Sequence, residues 1–282
     1  MQAIEIRRIL CPINFGDGSE RTVEGASILA AMYDAELRLL HVVCNRFPAR
    51  DPESLIASLV GLTRTLPGRT RVSAALAHGD PSSEIIQHAR IMAADVIVMA
   101  TNRRLPPAEV RRTIVADVAA QAPCPVLHVR PHLLPSLSDT VPGFSEILCC
   151  VDSVAGSLER SDYAHALARH GHARITLLNV LATADDASES THEIADNTDR
   201  RRDRVHLSLT GSPESEIVTL AQRIGADLIV MGARDEALPE HRLGSTTAHV
   251  MVHAPCAVLI VPRFAFQMRS RRDCPAPREI AQ

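Results

Sequence analysis

Ala94-Asp95-Val96-Ile97-Val98-Met99 and Ala226-Asp227-Leu228-Ile229-Val230-Met231 are nearly the same phrase written twice, 132 residues apart. Working outward, Ala122-Pro123-Cys124-Pro125-Val126-Leu127 returns at that offset as Ala254-Pro255-Cys256-Ala257-Val258-Leu259, and Gly79-Asp80-Pro81 returns as Gly211-Ser212-Pro213. Toward the amino terminus the offset becomes 138. There Ile9-Leu10-Cys11-Pro12-Ile13-Asn14 matches Ile147-Leu148-Cys149-Cys150-Val151-Asp152, and Leu39-Leu40-His41-Val42 matches Leu177-Leu178-Asn179-Val180. The two offsets differ by six, a deletion in the second copy between positions 181 and 210. Five matches in the same order make the chain a tandem duplication.

Each copy alternates short apolar runs with amphipathic stretches. In the first copy the pattern predicts strands near 7–13, 36–43, 70–77, 95–100 and 125–129, and helices over 19–33, 52–65, 81–92 and 109–120. Runs apolar on both faces belong to parallel sheets covered by helices on both sides. The expected fold is therefore α/β, with two tandem doubly wound domains, each built on a five-stranded parallel sheet. Asp80-Pro81 and Ser212-Pro213 read as N-caps followed by proline at the first helical position. Phe15-Gly16-Asp17-Gly18-Ser19 reads as a helix-starting turn with Ser19 as N-cap. Pro131, Pro135 and Pro142 mark a linker over 131–143, giving expected domains at 1–138 and 139–263. A tail over 264–282, with Arg269, Arg271 and Arg272 and no apolar periodicity, forms no third domain. The stretch 183–203, acidic and then basic, reads as a solvated helix face.

Composition removes several function classes. The 282 residues are 46% apolar and 22% charged, an ordinary globular balance that excludes a fully disordered chain. All 30 basic residues are arginine, so no mechanism that needs a lysine is available, whether a phosphate-loop lysine or a Schiff base. Net charge is −3, with 15 Arg against 13 acids in residues 1–138 and 15 against 20 in residues 139–282. Neither half is a nucleic-acid surface, and five Phe, two Tyr and no Trp offer few stacking platforms. No apolar run approaches the ~20 residues a membrane helix needs, and residues 1–8 hold no signal-peptide core, so the expected location is cytoplasmic, away from membranes. The seven cysteines are odd in number and lack any Cys-x-x-Cys, which reads as buried free thiols in a reducing compartment.

In an open parallel sheet, ligands bind beyond the carboxyl ends of the strands where the winding direction reverses. That points to Asn14 and Asp152 after the first strand of each copy, and to the loops after Met99 and Met231. In the second copy the loop reads Met231-Gly232-Ala233-Arg234-Asp235, and Leu243-Gly244-Ser245-Thr246 then opens a helix. Glycine after a strand lets a ligand approach the backbone. A Gly-Ser helix start offers free N–H groups, a hydroxyl and the positive end of the dipole, which suits phosphate. His41, His78, His241 and His249 read as core or surface side chains, and no catalytic or metal-ligating residue is assigned.

With these phrases in view, the repeat resembles the universal stress protein family over about residues 5–130 and 144–262. Two such units in one chain are similar to its tandem type. The resemblance implies an adenine-nucleotide alpha hydrolase-like fold with strand order 3-2-1-4-5. ATP-binding members carry Gly, two residues, Gly, nine residues, then Gly-Ser or Gly-Thr, plus an Asp closing the first strand. For the second copy this implies Asp152 at the ribose or adenine, the Val180 backbone at the adenine edge, and Gly232, Gly244, Ser245 and Thr246 around the phosphates. Met231 and Arg234 complete the implied cofactor-binding set. The second copy departs from the pattern at Asp235, which replaces the second Gly, and in the eight residues 236–243 that stand where nine are expected. A carboxylate facing a triphosphate costs affinity unless Mg²⁺ or an arginine intervenes; Arg234, His241 and Arg242 stand nearby in sequence. The first copy departs further: Asn14, Ala100, Arg103 and Arg112 replace the motif residues and leave only Thr113.

The implied function is a stress-response regulatory protein that binds ATP, with Mg²⁺, in its second domain alone. The alternatives are a nucleotide-free protein-interaction scaffold and a slow ATPase or adenylyl transferase; the missing lysine and base constellation lean away from an enzyme. The last strand of each copy would end its sheet as an exposed apolar edge. The resemblance implies that 125–129 and 257–261 pair as an intramolecular pseudo-dimer, with a homodimer as a further partner and His128 making the pairing asymmetric.

Overall fold

The structure is a computed structural model that describes residues 4–16, 18–44, 51–64, 70–101, 105–129, 143–151, 156–169, 172–181, 204–233 and 242–262. The linker 131–142, the stretch 183–203 and the tail therefore lie outside the described residues. The first domain runs β1 (Arg8–Pro12), α1 (Ser19–Tyr33), β2 (Glu36–Val43), α2 (Pro52–Arg64), β3 (Val72–His78), α3 (Pro81–Ile91), β4 (Val96–Ala100), α4 (Pro107–Val110), α5 (Ile114–Gln121) and β5 (Val126–Val129). The second runs β6 (Glu146–Cys150), α6 (Gly156–Ala168), β7 (Arg174–Leu181), β8 (Arg204–Thr210), α7 (Pro213–Ile224), β9 (Leu228–Gly232), α8 (Ser245–His253) and β10 (Ala257–Val261).

All ten strands form one sheet in the order β3-β2-β1-β4-β5-β10-β9-β6-β7-β8. Each half is parallel and keeps the order 3-2-1-4-5, so the winding reverses between β1 and β4 and again between β6 and β9. The halves meet at an antiparallel pair, with Leu127 opposite Leu259, Val126 opposite Ile260 and His128 opposite Val258. Leu127 and Leu259 are equivalent in the two repeats, so a pseudo-two-fold axis passes through them. The expected pairing of last strands is present, and it removes both apolar edges. His128 is buried in it at 2% exposure and its Nε2 is hydrogen-bonded to the Thr101 hydroxyl at 2.7 Å, an asymmetry carried by one side chain.

Because strand side chains alternate, each face of this sheet has its own core. On one face Leu10, Ile97, Leu148 and Ile229 pack under α3, α5, α7 and α8; on the other Ile9, Cys11, Ile147 and Cys149 pack under α1, α2 and α6. Both cores run through both domains. The repeated Ala-Asp phrase has a structural cause. The Asp95 carboxylate accepts from the Arg7 and Arg8 N–H groups at 2.8 and 3.0 Å, and Asp227 accepts from Ser145 and Glu146 at 2.6 and 3.3 Å. Each pins the start of the central strand to the start of its neighbour. Burial pushes the Asp227 carboxyl up, against the pull of those two N–H groups.

Two sequence expectations are corrected. The helix expected over 109–120 is two helices, α4 and α5, because Thr113 leaves helical geometry and its hydroxyl accepts from the Ala116 N–H at 3.3 Å as a new N-cap. Ser19 is the first helical residue and not the N-cap. Gly18, at φ 85°, holds that position, and the Ser19 hydroxyl donates to the Asn14 side chain at 3.2 Å instead. The Asp80 expectation matches the structure: its carboxylate accepts from the Ser83 N–H at 3.0 Å, with Pro81 behind it. Ser212 holds the equivalent position before Pro213 but makes no side-chain cap.

Candidate functional site

In the second domain the strand ends at the switch point carry several of the expected residues. Gly232 closes β9, and its carbonyl accepts from the Thr247 hydroxyl in the first turn of α8 at 2.8 Å. The Ala233 carbonyl accepts from the Gly244 N–H at 3.0 Å, and the Ala233 N–H donates to Val261 at 3.1 Å. These bonds tie the end of β9 to the start of α8. Leu243, 1% exposed, anchors the approach to that helix in the core. Gly244 is the N-cap in extended geometry, and no side chain caps the helix. The N–H groups of Ser245, Thr246 and Thr247 therefore stand at a helix terminus with no intrahelical acceptor. Ser245 is exposed and Thr246 half-buried, so this end faces outward.

The remaining implied residues fall out differently. Met231 is buried with its side chain in the core, leaving only its backbone for a ligand. Val180, on β7, is half-buried against the same core. Arg242 is exposed. Asp152, Arg234, Asp235 and His241 lie outside the described residues. Val151, the residue before Asp152, is fixed by its N–H donating to the Leu178 carbonyl at 2.8 Å.

One site residue escapes sequence reading. Arg160, in α6, is 9% exposed and lies against the bare backbone of Gly232: a Cβ there would come within 2.8 Å of its Nη1. Its charge also reaches Cys149 on β6, whose thiol burial pushes up to about 12 while the guanidinium pulls it down. The signal was the copy alignment, in which Arg160 stands opposite Thr22. A second missed pair is His249 and His253, four residues apart on α8, whose rings stack at 4.1 Å. The His253 Nδ1 is bonded to the His249 carbonyl at 2.9 Å. Burial and the neighbouring His253 lower the His249 pKa, with Glu214 opposing.

In the first domain the residues at the equivalent positions are held by local contacts. The Asn14 side-chain oxygen accepts from the Gly16 N–H at 3.0 Å and from the Ser19 hydroxyl, so it is spent on its own turn. Phe15 sits in the left-handed region at φ 55° with its ring 4.7 Å from His41, whose Nδ1 is bonded to the Ile13 carbonyl at 2.8 Å. Thr113 caps α5, its hydroxyl also donating to Val110 at 2.7 Å, and Arg112 is exposed where the second domain has Gly244. Arg103 lies outside the described residues. Among the described residues no group of three metal-ligating side chains converges, and no helix is long and apolar enough to cross a membrane.

Comparison with known proteins agrees with this architecture. The chain is 38% identical over 63 residues to Universal stress protein G of Shigella flexneri, a match covering 22% of this chain and 44% of that relative. The matched segment thus spans less than half of the curated relative. A universal stress protein from Archaeoglobus fulgidus DSM 4304 shares the fold at 18% identity, covering 93% of this chain and 98% of its own, with a TM-score of 0.72. A structure from Pseudomonas aeruginosa UCBPP-PA14 does so at 19% identity, covering 94% and 97%, with a TM-score of 0.66. The model of the Universal stress protein family matches twice, over residues 5–130 and 143–262. The chain belongs to the universal stress protein family, with two of its domains in tandem.

Proposed function

We propose that this is a stress-response regulatory protein that binds an adenine nucleotide, ATP in the first instance, in its second domain and not in its first. The observation that carries the reading is the start of α8. It is an N-terminus without a side-chain cap, opened by Gly244 and tied to Gly232 at the carboxyl end of β9. Such an end holds phosphate through backbone N–H groups and the helix dipole. The donor set fits the triphosphate: the Ser245 and Thr246 N–H groups and hydroxyls bind it, and Gly232 and Gly244 keep side chains out of its path. Val180 and Met231 contribute backbone toward the adenine. Asp152 at the ribose and Arg234 near the phosphates follow from the family resemblance. Mg²⁺ enters with the phosphates rather than through a cage of protein ligands. Bound ATP would act by stabilising one conformation of the second domain, by an amount set by its affinity and concentration.

The test is equilibrium dialysis of the full chain against ATP, with Gly244→Arg, which copies Arg112, as the variant. A loss of at least about tenfold in affinity is expected. Unchanged affinity in the variant, or no ATP retained by the wild type, contradicts the reading.

A further inference from the structure

We propose that Arg160 makes the second-domain site selective for phosphate-bearing ligands, an inference that deepens the nucleotide reading above and rests on it. Two elements from opposite faces of the sheet converge on Gly232. From one face the first turn of α8 reaches it, through the Thr247 hydroxyl on its carbonyl at 2.8 Å. From the other face Arg160 lies along it, with Nη1, Cζ and Cδ at 2.8, 3.8 and 3.9 Å from where a Cβ would stand. A methyl group at 232 would displace the guanidinium, so this glycine makes room for the arginine as well as for any ligand.

The cation and its glycine occur together and are missing together. In the first domain the equivalent positions are Thr22 and Ala100, and the Thr22 hydroxyl merely donates to the Gly18 carbonyl at 2.9 Å. Arg160 is 9% exposed and its guanidinium lies against Gly232 at the end of β9, the strand that pairs with β6 across the switch point. A planar guanidinium fork beside a helix N-terminus matches the oxygens of a phosphate. A nucleoside without phosphate carries no oxyanion for either group to hold. Selectivity should therefore grow with the ligand's phosphate charge, and it should belong to the second domain only.

The test measures binding of ATP, AMP, adenosine and inorganic tripolyphosphate to the full chain and to two variants. Arg160→Thr, copying Thr22, should weaken ATP and tripolyphosphate by more than about tenfold and adenosine by less than about twofold. Arg160→Gln keeps a polar side chain in place while removing the charge and should give the same selective pattern, which keeps the test open if the threonine variant fails to fold. Tripolyphosphate binding lost in Arg160→Thr, with no adenine ligand bound by the wild type, supports the role of Arg160 while overturning the nucleotide reading. Equal loss for ATP and adenosine, no loss, tighter binding in the variants, or no tripolyphosphate binding by the wild type overturns the role of Arg160.

Discussion

The helices α5 and α8 occupy equivalent places in the two domains and begin in opposite ways. In the first domain Thr113 caps α5 with its own hydroxyl, and Arg112 stands exposed before it. In the second domain the helix starts one residue earlier relative to the repeat, at Ser245, with Gly244 as a cap that has no side chain to offer. The same division runs through the neighbouring groups. Asn14 is consumed by its own turn, whereas the second domain carries Arg160 and Gly232 at the strand ends. The scaffold, by contrast, is nearly identical: the same strand order, the same strand-pinning aspartate, and a seam whose central residues are repeat equivalents. The two repeats share what folds the chain and differ in the residues at the strand ends and helix start.

That contrast can be broken most forcefully at the seam. Leu259 is 1% exposed and faces Leu127 across the pseudo-two-fold axis. Leu259→Asp buries a charge without a partner and should cost about 3–5 kcal/mol in urea unfolding of the full chain. A loss below about 1 kcal/mol would mean the two halves do not share a sheet.

The scaffold's symmetry is also testable by pH. Cys11 and Cys149 are repeat equivalents, both fully buried, and burial pushes both thiols up to about 12 from 9.0. A thiol that ionises less readily in the folded chain favours unfolding once the unfolded thiol can ionise. Stability contributed by each is whole below pH 9 and declines as pH rises toward 12, by about 1.4 kcal/mol per pH unit per thiol. Replacing one with alanine should flatten the alkaline slope by that amount, equally in either domain. A slope change confined to one domain would show that the two cores are not equivalent.

The caps give the smallest effects and the sharpest contrast. Thr113→Ala removes a working cap and should cost about 1 kcal/mol, whereas Ser245→Ala removes no cap and should stay within about 0.5 kcal/mol. Chemical denaturation of the two variants side by side measures the difference. Equal costs would put a side-chain cap on α8 after all.

What the sequence made legible was the part that repeats. Apolar runs such as 96–100 and 228–232 are buried strands because a parallel sheet covered on both faces needs apolar residues at every position. The pairing of β5 with β10 was implied by the family resemblance; exposed apolar edges supply its physical motive but do not by themselves choose these strands over β3 and β8. The break between α4 and α5 was not legible, since apolar periodicity continues across Thr113 and only its hydroxyl's choice of partner ends the helix. Arg160 was hidden for a different reason. Nothing in its local sequence distinguishes a solvated arginine from one laid along a glycine 72 positions away; that neighbour exists only once β6 and β9 are adjacent. Gly232 was noticed for its motif position, but the space a side chain would take there is held by Arg160.

Titration calorimetry of the full chain with ATP tests the central claim most directly. One site per chain is predicted, abolished by Gly244→Arg in the second domain and untouched by Asn14→Asp in the first. Two sites per chain, a single site that survives Gly244→Arg, or no heat of binding at millimolar ATP would contradict the assignment of nucleotide to the second domain.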